Sequence, residues 1–347
     1  MSDLLYDKAF QFKKAKLWTK LWDTQIFAVK HSDGTVSYCC VMGRGGTHFA
    51  LAAYPGDSGL RALVRIYEPA DGLTQAESFE KMWSQDCLML SFEDVDDLHP
   101  WETAELKKYF SSHHIVPRGR NAYPSVARFR PNHIPWKITD AAERVRLMET
   151  IDAALDVSDK LKGKMPEDLG LVEGFSGDKE IPLLTKRDGG FRWTTMTLPL
   201  LKEEAFPVAD QLNDIAIAKI LQKRNASSGT WICDIIAAPA PVQENPGKAP
   251  FYPLMEVILA KGSGLILGME MQRGDGDYYA VPFTEKLCSM MLASGCPDAI
   301  LVCNERALAF YSELARRLKL KLKKGTCPDE LADMFASLYG PDGSAFD

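Results

Sequence analysis

The stretch TWICDIIAAP, Thr230 to Pro239, places Asp234 in the middle of an otherwise apolar run. Trp231, Ile232, Cys233, Ile235, Ile236 and Ala237 read as a strand buried on both faces. A carboxylate taken out of water costs several kcal/mol unless it is paired, hydrogen-bonded or bound to a metal. The elements around this strand decide which of these applies.

Downstream of a helix over about 208–223, the strands TWICDIIA, YPLMEVILA and GLILGMEMQ follow one another. Then come the helix FTEKLCSMMLA, ending at Gly295, the strand AILVC, the helix ERALAFYSELARRL, the strand KLKLK and a last helix from about Pro328 to Leu338. The order is αβββαβαβα, an α/β domain with a mixed five-stranded sheet over residues 206–347. The link APAPVQENPGKAPFYP holds five prolines and reads as a stiff, exposed connection.

The first half, residues 1–205, reads as α+β. A helix over 6–22 precedes QIFAV and TVSYCCVM, two strands joined by HSDG, whose Asp33-Gly34 is a hairpin signal. HFALAAY follows as a third strand, making an antiparallel meander. SGLRALVRIYE and AESFEKMWSQ read as helices and CLMLSF as a buried strand. The span 97–135 has weak periodicity apart from a short helix at WETAELKKYF. Asp140 with Glu143 sets a capping-box pattern before a longer helix, and IPLLT with FRWTTMTL forms a hairpin.

Composition narrows the function classes. The chain has 347 residues, 46% hydrophobic and 25% charged, which is globular and long enough for two domains. Its formal net charge of −6 does not favour a general electrostatic footprint on nucleic acid. No apolar run is long enough for a membrane span and no signal-peptide core begins the chain, so a cytoplasmic protein is expected. The eight cysteines form no C-x-x-C pair, and reduced core thiols are the expectation.

LWDTQIFAVKHSDGTVSYCCVMGRGGTHFALAAYPGDSGL, residues 21–60, resembles the signature of an uncharacterised bacterial domain of unknown function. PDAILVCNERALAFYSELARRLKLKL resembles the second uncharacterised domain that follows it in those relatives. The resemblance implies a bacterial cytosolic protein and no activity. In topology the second half is similar to the RNase H-like, integrase-type fold, in which the first strand carries a metal-binding aspartate at the place of Asp234. That likeness implies a second acid near the end of the fourth strand and a third on the last helix. Asn304 stands where an aspartate is most expected, with Glu305 next to it, and Glu330 is available on the last helix.

Two functional expectations follow. The preferred one is a non-catalytic binding or interaction module of unknown partner, with no cofactor and no membrane association, in which Asp234 is satisfied by backbone N–H groups or an arginine. The alternative is a metal-dependent nuclease or phosphoryl-transfer enzyme using Asp234, Glu305 and Glu330 around Mg2+ or Mn2+, with Asp234 as metal ligand. Arg316, Arg317, Lys319, Lys321 and Lys323 are candidate nucleic-acid contacts. A helix end and an edge strand with a lysine face explain the same residues and are preferred. GRGGTH, Gly43 to His48, reads as a turn or, less favoured, as a backbone nest for an anion aided by Arg44 and His48. His99, His113, His114 and His133, beside Asp96, Asp97 and Glu102, match no metal motif and read as surface or supporting histidines.

Overall fold

A computed structural model describes residues 2–202, 205–223, 228–274, 279–326 and 328–339. The chain forms two compact units. The first contains Met1–Glu68, Ser84–Pro131 and Pro135–Lys202. The second contains Pro69–Trp83, Asn132–Ile134 and Glu203–Asp347, so two pieces of the first half of the sequence belong to it.

Along the first half run α1 (Ser2–Ala15), β1 (Phe27–Lys30), β2 (Val36–Met42), β3 (Ala50–Pro55), α2 (Gly56–Tyr67), α3 (Gln75–Met82), β4 (Cys87–Glu93), α4 (Pro100–His113), β5 (Tyr123–Phe129), β6 (Trp136–Lys137), α5 (Ala141–Lys160), β7 (Glu180–Arg187) and β8 (Gly190–Thr197). Of these, α3 lies in the second unit. The eight strands form one sheet in the order β6-β5-β4-β3-β2-β1-β7-β8. Every neighbouring pair is antiparallel except β1 with β7, which makes the sheet mixed.

The middle strands are apolar on both faces because both faces are covered. Phe27, Val29, Cys39, Val41, Leu51 and Leu90 pack with Phe12 of α1 and Leu147, Ile151 and Ala154 of α5. Ala28, Tyr38, Cys40, Ala52 and Met89 pack with Leu60 and Leu63 of α2. The helix expected over 6–22 ends at Ala15, because Lys16 turns left-handed (φ 48°) before a short 3-10 turn at Leu17–Thr19. Asp140 caps α5 through N–H groups of Ala142 and Glu143, at 2.7 and 3.4 Å. Glu143 does not return the bond expected of a capping box. It pairs with Arg128 instead, at 2.8 Å.

The second half continues with α6 (Asp214–Lys223), β9 (Thr230–Ala237), β10 (Leu254–Ala260), β11 (Leu265–Gln272), α7 (Ala280–Ser294), β12 (Ala299–Val302), α8 (Glu305–Leu318), β13 (Lys321–Lys324) and α9 (Asp329–Tyr339). Its sheet order is β11-β10-β9-β12-β13. The β9–β10 and β10–β11 pairs are antiparallel, while β9–β12 and β12–β13 are parallel. Alternation along β9 separates two cores. Trp231, Cys233 and Ile235 face Leu287 of α7 and Phe310, Tyr311 and Leu314 of α8. Ile232 and Ile236 face Ala76 and Phe79 of α3 and Leu331 and Phe335 of α9. Among the described residues no helix is long and apolar enough to cross a membrane.

Candidate functional site

Asp234 lies between Ile232 and Ile236 on β9, so its side chain takes the face shared with α3 and α9. It is 1% exposed. Its oxygens accept the side-chain amide N–H of Asn304 at 2.7 Å and backbone N–H groups of Ile235 and Cys303, with the Cys303 thiol as a further donor. Burial pushes the carboxyl pKa up to about 7, against these donors, which favour the ionised form.

Asn304 explains the missing aspartate. Its Oδ1 accepts the N–H of Ala307 at 2.8 Å and so caps α8, while its Nδ2 donates to Asp234 and to the carbonyl of Ile235 at 3.1 Å. An aspartate could make the cap but not the donation. It would set a second carboxylate against the first.

The next layer is supplied by α3. Its start is held by a capping box in which the N–H of Glu77 donates to Thr74 Oγ1 (3.2 Å) and the N–H of Thr74 donates to Glu77 (2.8 Å). One turn on, Glu80 accepts the N–H of Ala237 at 3.0 Å, at the end of β9. The same carboxylate takes a bidentate pair from Arg306 at 2.7 and 2.9 Å, with both side chains less than one-fifth exposed. Arg306 also lies 5.7 Å from the Phe206 ring. The face of β9 that carries Asp234 is therefore occupied by the chain's own helix and a closed ion pair.

The two other carboxylates of the sequence-derived trio are held elsewhere. Glu305 follows the C-terminal end of β12 and pairs with Lys324 at 2.6 Å. Glu330 accepts the N–H of Gly262 at 2.7 Å, beside the start of β9, where Lys261 donates to Thr230. The two lie at opposite ends of parallel strands, and Thr230 is four residues from Asp234, about 13 Å along a strand. Among the described residues no group of three His, Cys, Asp or Glu side chains is placed to hold a metal ion.

Of the basic run, Arg316 pairs with Glu313 at 2.6 Å and Arg317 with Asp214. Lys319 closes α8 in a left-handed conformation (φ 52°). Lys321 and Lys323 lie exposed on β13, the edge strand, while Leu322 packs against the core between them.

The histidines are dispersed. His99 precedes α4 and donates its N–H to Glu102 at 3.0 Å; Glu102 is buried and also accepts from Ser125 and Val126. His113 bonds the carbonyl of Tyr109 at 3.0 Å, and His114 is an exposed left-handed cap. His133 belongs to the second unit.

Two polar constellations were not singled out from sequence. Glu256, at the centre of β10, is fully buried; its Oε1 accepts the Tyr311 hydroxyl at 2.7 Å and its Oε2 has no partner among the described residues. Burial drives its pKa well above the usual carboxylate range. The signal was an acid inside LMEVILA, the same signal as Asp234. In the first unit, His31 joins Ser37 Oγ at 2.9 Å and Glu149 at 3.0 Å, the connectivity of a Ser-His-Glu triad. Ser37 is 0% exposed, and the N–H of Ser32 also bonds Glu149 while Arg146 pairs with Asp33. The network ties the β1–β2 hairpin to α5.

Residues 3–171 match a family model described as a domain of unknown function (DUF7309), and residues 217–338 match a second (DUF6930). The chain therefore carries two domains of unknown function, one in its N-terminal and one in its C-terminal part. No curated protein matches it.

Proposed function

We propose that this protein is a cytoplasmic, non-catalytic binding or interaction module whose second half is an RNase H-like domain without working catalytic acids. Support for the fold comes from the order β11-β10-β9-β12-β13, antiparallel through the first three strands and parallel in the last two. The antiparallel succession β1, β2, β3 supports the meander of the first half.

One observation carries the non-catalytic part. Asp234 spends its lone pairs on Asn304 and backbone N–H groups, under a helix locked by Glu80 and Arg306. Two-metal chemistry needs converging carboxylates with open coordination positions. Glu305 and Glu330 diverge to Lys324 and Gly262 instead. A nuclease using Asp234, Glu305 and Glu330 with Mg2+ or Mn2+ would need all three to move. Nucleic-acid contact by Arg316 to Lys323 is likewise disfavoured by the pairing of both arginines.

The test is cleavage of single- and double-stranded DNA and RNA by the purified full chain with millimolar Mn2+. No cleavage dependent on Asp234 is expected. Cleavage that disappears on Asp234→Ala, in a variant that still folds, would overturn the proposal.

A further inference from the structure

Three reversals of the chain meet around one cavity of about 590 Å³ in the first unit. They are the left-handed end of α1 at Lys16, the GRGG loop with Gly43 (φ 121°) and Gly46 (φ 87°), and the turn at Gly119 (φ 83°) and Asn121 (φ 50°) ahead of β5. Lys13, Lys16, Arg44 and Arg120 line it, and no aspartate or glutamate does. None of the four makes an ion pair with a described residue. In a chain of net charge −6, four cations around an acid-free cavity invite an anion.

Local geometry shows that these charges are not simply an exposed helix end. The helix dipole accounts for cations in the last turn of α1, where Lys13 and Lys14 stand. Arg44 and Arg120 come from two other segments. Lys13 is half-buried: it donates to the carbonyl of Asn121 at 2.5 Å, sits 5.0 Å from the Phe92 ring centre, and burial pushes its pKa down. Arg44 is exposed, lies 4.3 Å from the Trp22 ring centre and donates to the carbonyl of Lys20 at 3.3 Å. Asp94 stands beside the cavity, taking the N–H of Asn121 at 2.5 Å.

The floor is aromatic, from Trp18, Phe49 and Phe92. Gly43 lets the loop lie on it, since a Cβ there would fall 2.6 Å from the Phe49 ring and 3.3 Å from Trp18. A second cavity of the same unit, about 430 Å³, is lined by Lys108, Lys137 and Arg144 but also by Asp3 and Glu105, so its charges offset one another.

We propose that the acid-free cavity binds a small molecule carrying two or more linked phosphate groups on a flat apolar body, a ligand of nucleotide size. Four cations match the charge of a diphosphate better than that of one carboxylate. The volume exceeds a lone phosphate and suits a drug-sized ligand held between polar groups and an apolar wall.

The experiment is calorimetric titration of the full chain at low ionic strength with inorganic phosphate, pyrophosphate and adenosine diphosphate, repeated with Arg44→Ala/Arg120→Ala. Both arginines are exposed, so the double variant should keep the wild-type melting temperature. Saturable binding is expected, tightest for adenosine diphosphate and weakest for phosphate, with at least tenfold loss in the double variant and further loss on adding salt. Affinity for adenosine diphosphate no better than for pyrophosphate would overturn the role of the aromatic floor. No saturable binding by any probe, or unchanged binding in a folded double variant, would overturn the site.

Discussion

Asp234 and Asn304 form a donor–acceptor pair in which each identity requires the other. Asn304→Asp brings two carboxylates together in a dry site and removes a donor, so we expect about 2–4 kcal/mol of destabilisation at neutral pH. Urea denaturation should show that deficit shrinking in acid, where the pair can share a proton. Asp234 also has a pH signature of its own. Its folded pKa of about 7 lies above the ordinary 3.8, so between those values the folded state holds one proton more than the unfolded. Its contribution to stability is therefore fully present below about pH 4, falls as pH rises towards 7, and is flat above. The difference in stability between wild type and Asp234→Asn, measured across that range, should follow this slope; a pH-independent difference would contradict it. The oddity of Asp234 was legible in the sequence, because an acid in WICDIIA needs a cause. What satisfies it was not, since Asn304 lies 70 residues away and its double use depends on how β12 ends beside β9. Glu256 carried the same signal in LMEVILA and went unread.

Among the elements, α3 matters most to the candidate site. Its sequence is amphipathic and well capped, but nothing local says that Glu80 reaches Ala237 and Arg306. Glu80→Ala removes the bidentate carboxylate from a half-buried guanidinium and the acceptor of a strand-end N–H, which should cost about 2–4 kcal/mol. Hydrogen exchange should then rise first over 75–82 and at the end of β9; protection unchanged in both would show that the pair does not hold the helix. Most strands and helices were legible from apolar runs and turn residues, as at Asp33-Gly34 and Asp140. β5 was missed because Pro124 interrupts it, and Pro124 sits opposite Phe92 in the β4 ladder. The first helix was read too long because side-chain spacing continues past Lys16, whereas the backbone does not.

For the molecule as a whole, the two units do not follow a single cut in the sequence. Pro69–Trp83 supplies Ala76 and Phe79 to the core that covers Ile232 and Ile236. A fragment beginning at residue 206 lacks that segment, exposes this face and removes Glu80 from Arg306. We expect it to unfold non-cooperatively and to bind a hydrophobic dye, unlike the full chain; a cooperative melt near the full-chain temperature would contradict the role given to α3. Chain length was enough to foresee two compact bodies, and the order of strand and helix patterns to foresee mixed α/β structure. It could not show that a helix from the first half completes the second, because such contacts are non-local and leave no periodic trace.

The most direct measurement is the melting temperature of the wild type and of Asp234→Ala, each with and without millimolar Mn2+, because an ion bound only by the folded state stabilises it by mass action. A structural carboxylate predicts that Mn2+ moves neither protein while Asp234→Ala melts several degrees lower. Stabilisation of the wild type by Mn2+ that is lost in Asp234→Ala would make Asp234 a metal ligand and contradict the non-catalytic assignment.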